Sequence, residues 1–256
     1  MNSCITVGFR NDKRLKNSEV LSANVFPVED VYCDGSHTYA VLDTADKLLF
    51  ERYITTLSDY IMEKYENKIL KRIISKKYSD IPNVTINEII KLKHEEDSSE
   101  RRTVLTENLK GYFSENISGS VEGIVNFRLG NYKNQLNSLA DEIVDIYYLN
   151  REYEDFIELL RYFISVQNER TDRIYIVVNK DGTYTVLDRK RKDITVEALS
   201  EIVTVKDAKE LEHEDLLLSV LISLAPEKII VENREYIKNK QIFETVEKVF
   251  EKVEYK

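Results

Sequence analysis

A chain of 256 residues with only two cysteines, seven glycines and three prolines is long enough to bury a core without staples and too poor in thiols for a disulfide framework or a thiolate zinc site. Acids outnumber Lys and Arg by 46 to 37, a formal charge of −9, which disfavours general attraction to phosphate backbones, so a basic patch can act only locally. The first nine residues lack the basic and apolar regions of a secretory leader, and no stretch has the uncharged apolar length of a bilayer span, so a reducing cytoplasm is the expected compartment.

Residues 5–9, 31–33 and 38–42 read as strands, the last two joined by Asp34-Gly35-Ser36, a good hairpin turn. From residue 47 to 77 the apolar positions Phe50, Ile54, Leu57, Ile61, Tyr65, Ile69 and Ile73 recur at steps of three and four without Gly or Pro, which predicts one long helix. Pro82 closes it. A further helix begins at residues 86–92, fades through His94-Glu95-Glu96-Asp97, and resumes at Leu105, Leu109 and Phe113. Residues 124–129 look β-prone between glycines. Helical periodicity then returns in two pieces, Tyr132 to Ile146 and Tyr153 to Gln167, expected to pack as an antiparallel pair with Asn150 capping the second. Phe156 and Phe163 are placed on the inner side of that second piece.

The texture changes near Thr171. Residues 173–178 and 183–188 bracket Asn179-Lys180-Asp181-Gly182 as a hairpin, residues 202–205 suit a further strand, and 216–224 form an apolar helix stopped by Pro226. Ile229-Ile230-Val231 is a strand covered on both faces, and residues 242–253 are an amphipathic helix. The expected fold is α+β: a helix-rich N-terminal and central region with a short β start over residues 1–170, followed by a small C-terminal α/β unit over 171–256, as two parts or one continuous domain.

Two segments carry a resemblance. One runs from Asn126-Phe127-Arg128-Leu129 and Tyr132 through Glu152-Tyr153, Phe156-Ile157 and Leu159-Leu160-Arg161 to Tyr162-Phe163 and the turn at Asp181-Gly182. The other is Glu214-Asp215-Leu216-Leu217-Leu218 through Ala225-Pro226 to the strand ending at Val231. Together they resemble the YtxC-like family of sporulation proteins over roughly the second half of the chain, with Gly130 departing from the pattern. The resemblance implies a sporulating bacterium and a cytoplasmic role; it brings no catalytic residue and no cofactor.

The candidate sites compete with ordinary structural roles. Glu210-Leu211-Glu212-His213-Glu214-Asp215 is the densest acid-and-histidine run, but alternate helical residues do not share a face, and acids at a helix start suit its dipole, so no metal site is expected. Lys64, Lys68, Lys71, Arg72, Lys76 and Lys77 form a basic helix side that could follow phosphates, though nothing beside it reads bases. Glu232, Asn233 and Arg234, with Asn179 and Asp181, occupy the strand ends where an enzyme of this class would hold its ligand. Arg128, Tyr132, Arg151, Tyr153 and Arg161 are the residue types that interfaces prefer. The leading expectation is a non-enzymatic sporulation-associated protein acting through contacts with an unknown protein partner. The alternatives are nucleic-acid binding by the basic side and an enzyme sited at the C-terminal strand ends.

Overall fold

The computed structural model describes residues 4–11, 29–93, 98–167, 171–195 and 213–256. The fold is mixed α+β, as expected, and the chain divides into two compact units, Met1–Tyr148 and Leu149–Lys256. The further strand expected at residues 202–205 lies outside the described residues, as do residues 94–97 and the first half, 210–212, of the acidic run at 210–215.

In the first unit, β1 (Cys4–Arg10), β2 (Asp30–Cys33) and β3 (His37–Asp43) form a sheet whose fourth strand is β4 (Ser118–Ser120), in the order β2-β3-β1-β4. β1 runs antiparallel to β3 and parallel to β4. The turn between β2 and β3 is built by Asp34, whose carboxylate accepts from the Ser36 and His37 amides and lies well below the usual carboxylate range, with the His37 amide as largest cause. Gly35 takes the left-handed φ of 89° that this turn needs.

Helix α1 (Lys47–Ile61) starts where Asp46 accepts from the Leu48 and Leu49 amides. It continues through a π-helical turn, Met62–Glu66, into α2 (Asn67–Lys77). The helical run expected over 47–77 is present, but its buried side shifts. The apolar period passes through Tyr65, whereas the buried residues step from Ile61 to Glu66 and then Ile69, Leu70 and Ile74. The step of five from Ile61 to Glu66 matches the i to i+5 hydrogen bonding of a π turn, and it turns a carboxylate into the core. α3 (Asn83–Lys91) and α4 (Ser98–Glu115) follow, the latter burying Leu105, Leu109 and Phe113.

Two elements differ from the expectation. Residues 124–129 are mostly helical, in α5 (Val121–Phe127), because the Ser120 hydroxyl accepts from the Gly123 amide and Val121, Ile124 and Val125 fall on one buried side. The antiparallel pair is one helix, α6 (Gly130–Ser165), of 36 residues. Its interior holds neither Gly nor Pro, and one Asn cannot end a helix when each further residue adds a hydrogen bond at little cost.

The second unit has the sheet β6-β5-β7-β8, from β5 (Ile174–Val178), β6 (Tyr184–Leu187), β7 (Ile229–Glu232) and β8 (Val253–Tyr255). β5 and β6 are the expected hairpin, with Gly182 at φ 89°, and β7 is parallel to both β5 and β8. Ile229, Ile230 and Val231 are buried in the middle of that sheet, as a continuous apolar run demands. α7 (His213–Leu224) ends two residues before Pro226. α8 (Lys240–Val249) is shorter than the sequence pattern, since residues 253–255 pair with β7 as β8. No helix among the described residues is long and apolar enough to cross a membrane.

Candidate functional site

The basic side of α2 is shorter in space than in sequence. Lys64, in the π turn, pairs with Glu63 at 2.8 Å, and Lys77 reaches both oxygens of Asp141 at 2.6 Å, where the Tyr78 hydroxyl also donates. Lys71 donates to the Asn87 side chain at 3.3 Å, and the Lys68 ammonium lies 5.3 Å from the centre of the Tyr65 ring. Among the described residues Lys68, Lys71, Arg72 and Lys76 make no ion pair. These side chains, with Ser75, line a shallow concavity of about 580 Å³. Arg72 and Lys76 also line a smaller cavity of about 210 Å³ with Ile69, Ile73, Val125, Asn126 and Lys133. Lys133, on α6, donates to the Asn126 carbonyl at 2.6 Å; burial, then the nearby Arg72 charge, lowers its pKa.

The five residues expected to meet a partner divide between the two units, Arg128 and Tyr132 in the first and Arg151, Tyr153 and Arg161 in the second. Arg128 is exposed just after α5, and Arg151 is exposed on α6. Tyr132 is fully buried, its hydroxyl donating to Glu66 Oε2 at 2.6 Å. Tyr132 therefore has no surface to offer a partner. Tyr153 is half-buried, shares a 2.9 Å hydrogen bond with Thr245 and has the Lys248 ammonium 4.4 Å from its ring centre. Arg161 donates from Nε and Nη2 to the Lys248 carbonyl at 2.8 and 2.6 Å. Both side chains thus fasten α6 to α8 within the second unit.

A different part of α6 is presented outward. Leu149, Phe156 and Phe163 stand seven residues apart, as do Leu159 and Val166, the residue that follows the helix, and these five are 44–67% exposed. Tyr162, 61% exposed, flanks them. Seven-residue spacing of two apolar series is the seam of a helix-to-helix contact. Meanwhile Ile157 and Leu160, on another side of the same helix, are buried in the second core. Glu152 and Asp155 are exposed along the seam. The sequence reading put Phe156 and Phe163 inside because apolar residues occupy almost two full sides of residues 153–166, and only one side finds a core.

Glu66 is the functional-looking group that the sequence reading passed over. Its carboxylate is 1% exposed and receives Lys93 Nζ at 2.7 Å, Tyr132 Oη at 2.6 Å and Arg101 Nε at 3.4 Å. Burial pushes the carboxyl upward, but the hydrogen bonds from Lys93 and Tyr132 and the charges of Lys93 and Arg101 outweigh it and hold it below its ordinary value. The four side chains come from the π turn, the segment after α3, α4 and α6. Four residues far apart in sequence leave no local signal, and Glu66 lies off the apolar period, which passes through Tyr65.

At the C-terminal strand ends the polar side chains already have work. Glu232 takes a bidentate pair from Arg191 at 2.7 and 2.9 Å, and the guanidinium lies 3.9 Å from the Tyr175 ring centre. Asn233, in the left-handed region at φ 61°, donates to the Val178 carbonyl at 3.1 Å, and the Arg234 guanidinium lies 4.8 Å from the Tyr255 ring centre. Asp181 accepts from the Thr183 amide and hydroxyl, and Asn179 donates to Thr183 and Thr185. Among the described residues no three of His, Cys, Asp and Glu gather as metal ligands would.

Comparison with known proteins places the chain. The uncharacterised protein YtxC of Bacillus subtilis (strain 168) is 29% identical over 112 residues, covering 41% of this chain and 37% of that protein, so the match spans little more than a third of the relative. No solved structure matches the chain. The sequence profile of the YtxC-like family, however, matches residues 52–254, from α1 to β8. Because that span covers more than half of the chain and reaches through both units, the chain belongs to the YtxC-like family.

Proposed function

We propose that this chain is a non-catalytic, cytoplasmic sporulation factor that works by protein contact, using the outward side of α6 to receive an amphipathic helix with basic flanks. The observation that carries this reading is the exposed series Leu149, Phe156, Leu159, Phe163 and Val166. An exposed apolar series of this kind on a folded unit marks a contact surface, and its heptad spacing suits a helix. Glu152 and Asp155 beside it favour cations on the partner and disfavour a second copy, whose acids would meet the same acids. Family membership supports the sporulation setting, as read from the resemblance.

The two alternatives have less support. A nucleic-acid track along α2 loses Lys64 and Lys77 to Glu63 and Asp141. A catalytic site at the C-terminal strand ends would need Glu232, Asn233 or Asp181 free of the bonds they already make.

The test replaces the host's own copy in sporulating cells with the wild-type chain or the double variant Phe156→Glu, Phe163→Glu, and places a photo-crosslinking residue at position 159. Spore yield should fall with the double variant while the purified variant melts like the wild type, and the crosslink should join position 159 to a basic, heptad-patterned segment. Full spore yield without any copy removes the sporulation role. Full yield with the double variant removes the α6 surface, and a crosslink to a second copy replaces the partner with self-association.

A further inference from the structure

The cavity between α2, α5 and α6 has the makings of a ligand site. Its lining is Ile69, Arg72, Ile73, Lys76, Val125, Asn126 and Lys133, without a single acid. Ile69 and Val125 are buried and Ile73 half-buried, so the wall is aliphatic, while the cations stand at its rim. In a chain of net charge −9, three unneutralised cations around one hollow repel one another, and an anion would relieve that repulsion.

The donors are available. Lys133 spends one of its three ammonium hydrogens on the Asn126 carbonyl, at 2.6 Å. Arg72 is exposed and donates no hydrogen bond among the described residues, so its planar fork is open to a carboxylate or phosphate. The neighbouring concavity, with Lys68, Lys71 and Ser75, shares Arg72 and Lys76 with the cavity and forms a basic approach to it.

Geometry also limits the size of the ligand. The free cations of α2 run only from Lys68 to Lys76, about 12 Å along a helix axis, and Lys133 draws them toward a hole instead of prolonging the row. We propose that Arg72, Lys76 and Lys133 bind a compact anion, a carboxylate or phosphate monoester, whose short aliphatic portion lies against Ile69, Ile73 and Val125. The α6 contact surface plays no part in this site, and its failure would leave the site untouched.

The experiment titrates the full chain calorimetrically with inorganic phosphate, hexyl phosphate, hexanoate and hexanol, and separately with a mixed-sequence single-stranded oligonucleotide and phosphatidylglycerol vesicles. Hexyl phosphate and hexanoate should bind, hexanol should give no heat, and inorganic phosphate should bind about tenfold more weakly or worse than its hexyl ester, because it buries no methylene. Arg72→Ala and Lys76→Ala, both at exposed positions that leave the circular dichroism unchanged, should each weaken hexyl phosphate about fivefold or more. Ile73→Asn should abolish the preference for the hexyl ester. No heat with either alkyl anion at millimolar concentration overturns the site, as does equal affinity for hexyl phosphate and inorganic phosphate. Stronger binding of the oligonucleotide assigns the cations to nucleic acid instead, and binding of vesicles without hexyl phosphate assigns them to a membrane surface.

Discussion

The first unit encloses a carboxylate–guanidinium pair and the second displays one. Glu66 and Arg101 are both almost wholly buried, with Lys93 and Tyr132 completing the carboxylate's shell. Glu232 and Arg191 make a better-shaped bidentate pair, yet the arginine side chain is half exposed. The same two functional groups therefore do different things. Inside, removing one partner strands the others in a medium that cannot solvate them. At the surface, water replaces a lost partner almost as well, and the pair contributes little however good its geometry.

Breaking the inner cluster should give the largest effect. Glu66→Ala takes away the buried carboxylate that Lys93, Arg101 and Tyr132 share, and should cost about 3–5 kcal/mol in urea unfolding. Tyr132→Phe keeps the ion pairs and removes one hydrogen bond to a charged group, so the loss should be about 1.5–3 kcal/mol. A Tyr132→Phe loss equal to that of Glu66→Ala would mean that the phenol, not the charge, holds the cluster.

The pH dependence sharpens the contrast further. The Glu66 carboxyl is held lower in the folded protein than its ordinary 4.5, so its contribution is fully present above the unfolded value and disappears as pH falls through the folded one. The stability gap between wild type and Glu66→Gln should be constant near neutrality and narrow below about pH 4.5; a gap that widens on acidification refutes the assignment. The smallest effect should come from Glu232→Gln, whose unfolding midpoint should stay close to wild type. If it fell as far as Tyr132→Phe, the surface pair would be anchoring β6, β7 and their connection much as Glu66 anchors its helices.

The two units differ also in how far they could be read in advance. The C-terminal sheet was largely legible, because Asn179-Lys180-Asp181-Gly182 has one natural conformation and Ile229-Ile230-Val231 has one natural environment. Local chemistry decides such elements. Residues 124–129 look β-prone yet are mostly helical, since Ser120 and Gly123 form a cap only once Val121, Ile124 and Val125 have a core to enter. The break expected at Asn150 failed because nothing in its backbone chemistry forbids the helix from going on. The basic side of α2 was visible as a row of residues, but which members stay free depended on Glu63 and on Asp141, the latter 64 residues away from Lys77.

By itself the sequence determined the α+β class, the hairpins, the strand at Ile229–Glu232, the long helical run from Lys47 and the family likeness, all of which follow from neighbours within a few residues. Tertiary structure decided the rest. It chose Glu66 over Tyr65 for the core, withdrew Tyr132 from the surface, left Phe156 and Phe163 outside, and brought Lys133 beside Arg72. Those outcomes depend on which of several apolar sides meets another element and which distant charges meet each other, and the free energy of burial is set by that meeting, not by the residues' order along the chain.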